Sequence, residues 1–340
     1  MRTAASLRCA TVVTAVAVLA TSLTLAFPAR ALWMAHDATG HSATSGPRTH
    51  DLARTGSSVA AAHQGVAACG SSVDPPAPDA RLAAALSLVR QDYGGRVAVG
   101  ITDQATGVTA VYHGTESFKT ASIVKADILA VLLLQLQQAG ASIGAADRQL
   151  ATRMIEDSDN AAASALWRAV GGGPGLKAGN NVLGLEQTVP GPGGYWGSTL
   201  TTVADQLRLL AVLTSARSPL SAAARGYELG LMRDVEAGQN WGVTKAASTG
   251  TRPAVKNGWL PVGPRGLWVI NSIGVIRRAG HKLALAVLSA GNPSQSAGIS
   301  LVQAAATTVV GVVATAGSSG PDGSHRAPDT CAPAGNGLSS

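Results

Sequence analysis

Apolar residues recur along the chain with two different periods, and the period changes four times between residues 79 and 316. At residues 81–91 they recur with helical spacing, and Asp79 is placed to cap the start of that helix. Residues 96–102 then have the spacing of a strand, with Val97, Val99 and Ile101 on one face, and residues 108–113 predict a second strand after a short turn. The pattern predicts a first helix followed by a β-hairpin.

The middle of the chain has helical spacing, and the last part returns to strand-like segments. A long apolar helix is predicted first, and shorter ones follow it, at residues 122–138, 145–156, 159–170, 201–215 and 219–233. Three strands and a final helix are then predicted at residues 254–259, 266–276, 281–288 and 295–314. This order predicts an α+β fold: a five-stranded antiparallel sheet flanked by the N- and C-terminal helices, with an all-helical block inserted between strands 2 and 3.

The N-terminal segment has the layout of a targeting sequence. Arg2 and Arg8 precede an uncharged apolar stretch at residues 9–29, and Ala29 and Ala31 then supply the small residues of an A-x-A cleavage site, as in a secretory signal peptide. We therefore expect a secreted protein without stable membrane association once the signal is removed; an uncleaved membrane anchor is the alternative. The predicted organisation is a signal peptide, a disordered linker, one domain and a flexible tail, at residues 1–31, 32–78, 79–316 and 317–340.

Composition and charge exclude several classes of protein. Only 13% of the 340 residues are charged and 46% are hydrophobic, which argues against a wholly disordered chain. The net charge is +7, and the sequence has no run of five or more basic residues. We therefore expect no nucleic-acid partner. Histidine and cysteine spacings typical of zinc sites do not occur, so we expect no metal and no other cofactor. We also expect a monomer.

Two cysteines, Cys69 and Cys331, lie outside the signal segment, each just beyond one end of the predicted domain. An exported protein meets oxidising conditions, in which two thiols can pair. Two free thiols on mobile ends are the alternative. The first and last helices flank one sheet and can lie side by side, which favours the disulfide.

Three short motifs carry candidate chemistry, and the first is Ser122-Ile123-Val124-Lys125 at the start of the long apolar helix. Residues i and i+3 share a helix face, so the Lys125 amine can reach the Ser122 hydroxyl. A serine hydroxyl needs a neighbouring base to become a good nucleophile. Lysine can serve as that base only if burial or another cation lowers its pKa.

The second motif is Ser158-Asp159-Asn160, between two predicted helices, and the third is Lys256-Asn257-Gly258, on the first strand of the late block. The Ser158 hydroxyl can pass a proton, and the Asn160 amide can bind a substrate carbonyl. Lys256 can supply a second cation, and Gly258 allows a substrate backbone to approach the strand.

Together these motifs resemble the S-x-x-K, S-D-N and K-T-G signature of class A β-lactamases and penicillin-binding proteins. Ser158 follows Ser122 by 36 residues, and Lys256 follows Ser158 by 98 residues, and the three motifs occur in the same order as in that superfamily. The resemblance implies acyl transfer, in which Ser122 attacks the carbonyl of a β-lactam or cell-wall peptide and Lys125 takes its proton, directly or through water. Ser158, helped by Lys256, would relay the proton to the leaving nitrogen. The oxyanion would lie between the backbone amides of Ser122 and Trp259.

The resemblance also implies residues that bind the substrate. Asn257 stands where the family has Thr or Ser and lacks the hydroxyl that contacts the ligand carboxylate. Arg265 matches an arginine that backs the carboxylate pocket in many class A enzymes; an exposed turn is the alternative. The predicted substrate-binding residues are Asn160, Asn257, Gly258, Trp259 and Arg265.

One residue of the family is missing. Class A enzymes activate the deacylating water with a loop Glu in an E-x-x-x-N pattern, whose place falls near Tyr195 and Trp196. Residues 188–199 hold no charge, and the nearest acid, Glu186, precedes the loop and lacks the companion Asn. We predict that Tyr195, Trp196 and Trp259 line the site and that an acyl-enzyme is hydrolysed slowly.

Three functions are compatible with this sequence. The first is a secreted serine hydrolase of the class A β-lactamase type with weak turnover. The second is a D,D-peptidase or penicillin-binding protein acting on cell-wall peptides. The third is a non-catalytic protein that binds β-lactams or peptides. The intact set of two serines and two lysines argues against the third.

Overall fold

The computed structural model describes residues 77–317, with side chains for residues 77–313. The predicted signal peptide, nearly all of the predicted linker and tail, and both Cys69 and Cys331 lie outside the described residues. The predictions about export, cleavage and the disulfide therefore stay predictions.

Eight helices and seven strands make up the described part of the chain. The helices are α1 Pro78–Tyr93, α2 Val124–Gln138, α3 Ala145–Glu156, α4 Asn160–Ala169, α5 Gly172–Leu183, α6 Val203–Thr214, α7 Ala222–Arg233 and α8 Gln295–Gly317. The strands are β1 Arg96–Asp103, β2 Thr109–Tyr112, β3 Phe118–Lys119, β4 Leu200–Thr201, β5 Ala254–Val262, β6 Leu267–Arg278 and β7 His281–Asn292. Short 3-10 turns precede α2 and interrupt the longer loops.

The main sheet has five antiparallel strands in the order β2-β1-β7-β6-β5. Strands from the two ends of the domain pair at its centre, with Val97 on β1 opposite Ser289 on β7. Helices α2–α7 lie in the chain between β2 and β5. The predicted α+β fold is confirmed.

Both faces of the sheet are covered by helices. Helices α1 and α8 pack together against one face, and the helical block packs against the other. On strand β1, Val97, Val99 and Ile101 pack in the core on the α1 and α8 side of the sheet. Ala98 packs in the core on the side of the helical block. A sheet buried on both faces needs small or apolar residues at nearly every central position, which accounts for the high apolar content.

Two described segments, Ala121–Gln138 and Gln295–Val313, are long and apolar enough to cross a membrane by composition alone. In this domain the first is the core helix of the helical block. The second covers the sheet with residues such as Leu301 and Val309. Core helices of this kind satisfy the same criterion.

The structure corrects the predicted elements in two places. Asp79 does not cap α1, which begins at Pro78; its carboxylate instead accepts a hydrogen bond of 2.8 Å from the amide of Val111. Helix α5 was not predicted, because its sequence opens with a glycine run that disfavours helix. The helix starts from Gly171 in the left-handed conformation and is held by buried apolar residues such as Leu176.

Candidate active site

A cavity of about 490 Å³ opens between the helical block and the end of β5. The residues that line it come from the first two motifs, from the Gly/Pro-rich loop and from the strand that carries the third motif. They are Ala121, Ser122, Ser158, Asn160, Ser164, Gly194, Tyr195, Trp196, Gly197, Ser198, Trp259 and Leu260. The fold therefore brings the three motifs to one place.

Ser122 lies in the 3-10 turn Ala121–Ile123, immediately before α2. Its neighbour Ala121 has a φ of +47°, which is uncommon for a residue with a side chain. The turn is held from two sides: the Thr120 amide donates to the carbonyl of Thr199, and the Asn271 side chain donates to the carbonyl of Thr120. A strained backbone of this kind persists only where its surroundings hold it in place.

Gly258 fits closely against this turn. A Cβ atom at Gly258 would lie 2.7 Å from the backbone nitrogen of Ser122 and 2.8 Å from that of Ile123. Both contacts are with backbone, which cannot move aside as a side chain can. Only glycine therefore lets β5 approach the turn that carries Ser122, and this is a packing role beyond the substrate contact predicted for Gly258.

Lys125 is completely buried, and its ammonium group contacts the second motif. Nζ donates to the carbonyl of Ser158 (2.5 Å), to Ser158 Oγ (3.0 Å) and to Asn160 Oδ1 (2.9 Å). Burial lowers the pKa of Lys125 to about 8, although the nearby Asp159 carboxylate opposes the shift. Within residues 77–313 no hydrogen bond joins Nζ to Ser122, so the contact predicted from their spacing is not made in this state.

The Ser158 hydroxyl lies between two lysines. Lys256 is also completely buried, and its Nζ donates to Ser158 Oγ at 3.1 Å. Burial, together with repulsion from Lys125, holds the pKa of Lys256 well below its usual range. Because both lone pairs of the hydroxyl accept from lysines, its own proton is free to point into the cavity. Ser158 itself has a φ of +56°.

Gln239 links Lys256 to an acid. Lys256 Nζ donates to Gln239 Oε1 at 3.3 Å, and Gln239 Nε2 donates to Glu236 Oε1 at 2.9 Å. Glu236 partly offsets the lowering of the Lys256 pKa. Sequence reasoning missed Gln239, and no motif in the chain marks it.

Trp196 occupies the part of the cavity next to Lys125. Its ring centre lies 4.9 Å from Lys125 Nζ, and its indole N–H donates to Ser164 Oγ at 3.1 Å. Tyr195 lines the same cavity but is largely exposed. Ser164 was missed, although it lies one helical turn after Asn160 and therefore on the same face of α4.

The loop that carries Trp196 is tied down at its base by Asp205. The Asp205 carboxylate accepts from the amide of Gln187 and from the Thr188 hydroxyl, at 2.9 and 2.6 Å. Farther along, a Cβ atom at Gly191 would lie 2.1 Å from the carbonyl oxygen of Tyr195, so the loop closes tightly on itself. These contacts hold in place a segment whose glycine and proline residues give no helical or strand-like sequence pattern.

No acidic side chain belongs to the described residues that line the cavity. Glu186, the nearest acid in the sequence, is exposed in the turn after α5, where its carbonyl accepts from Lys177. The structure does not bring Glu186 to the site. In the part of the chain that the structure describes, no three His, Cys, Asp or Glu residues are grouped as a metal site.

Two predicted substrate-binding residues do not face the cavity. Asn257 is buried, and its Nδ2 donates to the carbonyls of Gln239 (2.7 Å) and Trp241 (3.1 Å), so it braces β5 against that segment. Arg265 lies in the exposed turn between Val262 and Leu267. The β5–β6 hairpin extends beyond Lys256. Arg265, nine residues after Lys256, therefore lies at the tip of the hairpin and not on the neighbouring strand.

Two buried acids lie in the helical block behind the site. Asp127 on α2 accepts a hydrogen bond of 3.0 Å from Asn180, and burial raises its pKa to about 7. Glu228 on α7 is also fully buried, and burial followed by repulsion from Asp127 raises its pKa well above the usual range. Both carboxyl groups therefore keep their protons to a higher pH than exposed acids do.

Comparison with known proteins agrees with the fold. A sequence model of the β-lactamase enzyme family matches residues 146–313. A protein named "Putative lipoprotein LppW" in Mycobacterium tuberculosis and Mycobacterium bovis is 29% identical over 133 residues, which make up 38% of this chain and 42% of the relative. The chain thus spans about two fifths of the length of the curated relatives it matches.

Solved structures extend the likeness to almost the whole described domain. A β-lactamase from Xanthomonas campestris has a TM-score of 0.59 at 20% identity, covering 69% of this chain and 98% of its own. A β-lactamase from Burkholderia vietnamiensis has a TM-score of 0.60 at 22% identity, covering 69% and 97%. A variant of the last common ancestor of Gram-negative bacteria class A β-lactamase gives 0.58 at 24%, covering 69% and 99%. The family match over residues 146–313 and the shared fold both support the resemblance of this chain to the serine β-lactamase and penicillin-binding protein-like superfamily.

Proposed function

We propose that the chain is an exported serine hydrolase of the β-lactamase type in which Ser122 forms an acyl-enzyme that is hydrolysed slowly. The observation that carries this proposal is the Ser158 hydroxyl held between the buried amines of Lys125 and Lys256, in the same cavity as Ser122. This arrangement joins a nucleophile, a base of lowered pKa and a proton relay.

In the proposed reaction Lys125, as the neutral amine, removes the proton from Ser122 while Oγ attacks the carbonyl carbon. The bond from carbon to oxygen forms, and negative charge collects on the carbonyl oxygen between the amides of Ser122 and Trp259. The proton then passes through the Ser158 hydroxyl to the departing nitrogen as the amide bond breaks. Lys256 keeps the Ser158 hydroxyl oriented during this transfer.

Slow release of the acyl group follows from the residues around the nucleophile. Hydrolysis of the ester requires a base that activates a water molecule on the open side of the carbonyl. The indole of Trp196 fills the space beside Lys125, and the cavity lining includes no acid. The same observation favours a penicillin-binding protein as the second candidate, since slow deacylation is its expected behaviour.

Export is part of the proposal. The segment at residues 1–31 supports it by its signal-like layout. The mycobacterial relative named as a lipoprotein supports a location in the cell envelope.

The test is covalent labelling of the intact protein with benzylpenicillin, followed by mass spectrometry. We expect a stoichiometric mass increase that persists for minutes and is lost in Ser122→Ala. Ser164→Ala serves as the matched control, because its hydroxyl contacts only Trp196 among the side chains of the cavity. Absence of any adduct with penicillins, cephalosporins and uncharged aryl esters, or an adduct that persists in Ser122→Ala, would reject the proposal.

A further inference from the structure

Gln239 is a buried glutamine that contacts the active site through Lys256. Its Oε1 accepts from Lys256 Nζ at 3.3 Å. Its Nε2 donates to Glu236 Oε1 at 2.9 Å and to the carbonyl of Glu156 at 3.3 Å. Gln239 is not among the described residues that line the cavity. It can therefore act on the cavity only through another residue.

The neighbours of Gln239 determine which end of its amide faces Lys256. A carboxylate and a backbone carbonyl accept hydrogen bonds and cannot donate them. The opposite orientation of the amide would place Oε1 against the Glu236 carboxylate and the Glu156 carbonyl, so both of these hydrogen bonds would be lost. Gln239 therefore presents a hydrogen-bond acceptor to Lys256.

Three acceptors surround the Lys256 ammonium group, one for each of its N–H groups. They are Gln239 Oε1 and the carbonyl of Asn257, both at 3.3 Å, and Ser158 Oγ at 3.1 Å. The first two take two of the N–H groups and leave the third directed at Ser158. Loss of Gln239 Oε1 would leave a buried N–H without a partner, and Nζ would be free to turn away from Ser158.

Gln239 is itself held by the elements on both sides of Ser158. Its backbone carbonyl accepts from Asn257 Nδ2 at 2.7 Å, which ties it to strand β5. Its side chain reaches the carbonyl of Glu156, the last residue of α3 and two residues before Ser158. The backbone amide of Glu236 donates to the same carbonyl at 3.1 Å. Gln239 is therefore fixed relative to both groups that its contacts bring together.

We propose that Gln239 is a positioning residue that holds Lys256 Nζ in hydrogen-bond contact with the Ser158 hydroxyl. It touches none of the reacting atoms and acts through Lys256. The inference rests on the proposed function, because the step that it serves is proton transfer through Ser158 during acylation of Ser122. Gln239 gains and loses no proton in that step.

The first test is labelling of the intact protein by benzylpenicillin, followed by mass spectrometry. Gln239→Met keeps the length of the side chain but removes the amide, so labelling of Ser122 should slow at least about tenfold. Gln135→Met is the matched control and should label normally, because its amide donates to the Val170 carbonyl in the helical block, away from the cavity lining. Equal rates in the two variants overturn the inference. Should Gln239→Met not fold, Gln239→Asn draws the amide back from Lys256 and takes its place in every comparison.

A double variant separates positioning from a general loss of stability. If Gln239 acts through Lys256 on the Ser158 hydroxyl, its removal should have little effect once that hydroxyl is absent. We expect Gln239→Met to change the labelling rate less than about twofold when it is added to Ser158→Ala. A loss of about tenfold in both backgrounds would show that Gln239 acts by another route and would overturn the inference.

An exchange of two side chains supplies the rescue. Gln239→Glu combined with Glu236→Gln keeps the total charge, keeps an amide opposite a carboxylate and still presents an acceptor to Lys256. This double variant should label at least about threefold faster than Gln239→Met. A rate as slow as that of Gln239→Met would contradict the role of position 239 as an acceptor.

The pKa of Lys256 gives a readout that needs no acylation. NMR of protein that carries ¹³C at lysine Cε follows this titration, and Lys125 and Glu236, the charged groups that act on it, are unchanged in Gln239→Met. Loss of the acceptor should lower the pKa below that in Gln135→Met, and equal values overturn the inference. A lowered pKa in a protein that benzylpenicillin never labels rejects acyl transfer and supports the contact of Gln239 with Lys256.

Discussion

The ammonium group of Lys125 lies over the face of the Trp196 indole, 4.9 Å from the ring centre. An aromatic face attracts a cation, so this contact favours the charged form of a lysine that burial drives toward the neutral form. Trp196 therefore has two effects at the site. It occupies the part of the cavity next to Lys125, where the described lining has no acid, and it stabilises the cation that has to lose a proton in the proposed reaction.

Acylation of Ser122 is expected to depend on pH through Lys125. The pKa of Lys125 is lowered to about 8, so the neutral amine becomes more abundant as the pH rises toward that value. The labelling rate should increase about tenfold from pH 6 to pH 7 and level off above pH 8. Single-turnover labelling at a series of pH values measures this directly. A rate that stays constant from pH 6 to pH 9 would exclude Lys125 as the base.

Replacement of Trp196 is expected to move that pH profile. Trp196→Leu keeps apolar bulk around Lys125 but removes the aromatic face, so the pKa should fall by about half a unit. Trp196→Phe retains a ring and loses only the N–H bond to Ser164, and its profile should match that of the unmodified protein. Identical shifts in both variants would show that the ring face does not act on Lys125.

Loss of the Ser158 hydroxyl is expected to slow acylation by roughly 10²- to 10⁴-fold, the usual contribution of a positioned proton-transfer group. The hydroxyl is the shared acceptor of Lys125 and Lys256, so Ser158→Ala removes the relay and leaves two amines facing each other. Ser164→Ala lacks a hydroxyl in the same cavity and should keep most of the activity. Wild-type labelling by Ser158→Ala would rule out the relay.

Gly258→Ala is expected to disturb the turn that carries Ser122. The added Cβ would press on the backbone nitrogens of Ser122 and Ile123, so labelling should fall at least about tenfold and the Tm should drop by several degrees. Gly230→Ala is the matched control, since its Cβ meets nothing within 4 Å. That change lies inside α7 and should stabilise the domain by about 0.5–1 kcal/mol. Normal labelling and Tm for Gly258→Ala would contradict the close approach.

Stability is expected to fall as the pH rises from about 4 to about 7, because of Asp127. Its folded pKa is raised to about 7, above the unfolded value of 3.8, so only the unfolded chain releases this proton within that window. The difference corresponds to about 4 kcal/mol of stability lost above pH 7.

Asp127→Asn removes the titrating group while keeping an acceptor for Asn180. Its Tm should exceed that of the unmodified chain at pH 8 but not at pH 4. Asp92→Asn, which neutralises an exposed acid, should show no such difference. Parallel thermal melts of all three proteins at both pH values decide the question.

Features that depend on local pattern could be predicted from the sequence. The spacing of Val97, Val99 and Ile101 predicts that they share one face of β1, and in the structure all three enter the same core. Trp196 could be predicted to line the site because its place in the chain was counted from neighbouring motifs. Each of these depends on residues close together in sequence.

Features that depend on distant contacts could not be predicted. The Asn257 side chain does not face the cavity, because its Nδ2 donates hydrogen bonds to the carbonyls of Gln239 and Trp241. No sequence motif indicates these contacts. Arg265 lies in the exposed turn at the tip of the β5–β6 hairpin, because the pairing of the two strands continues to Val262 and Leu267. Helix α5 forms against its local propensity because tertiary packing outweighs the glycine cost.

The pairing of β1 with β7 determines when the site can form during folding. The two strands come from opposite ends of the domain, so the sheet closes only after almost the whole chain is available. Ser122 and Lys125 come before the last three strands in the chain, whereas Lys256 and Gly258 lie on β5, the first of those three. A nascent or truncated chain would carry the nucleophile without its second lysine, and an acylating serine would emerge only when folding is complete.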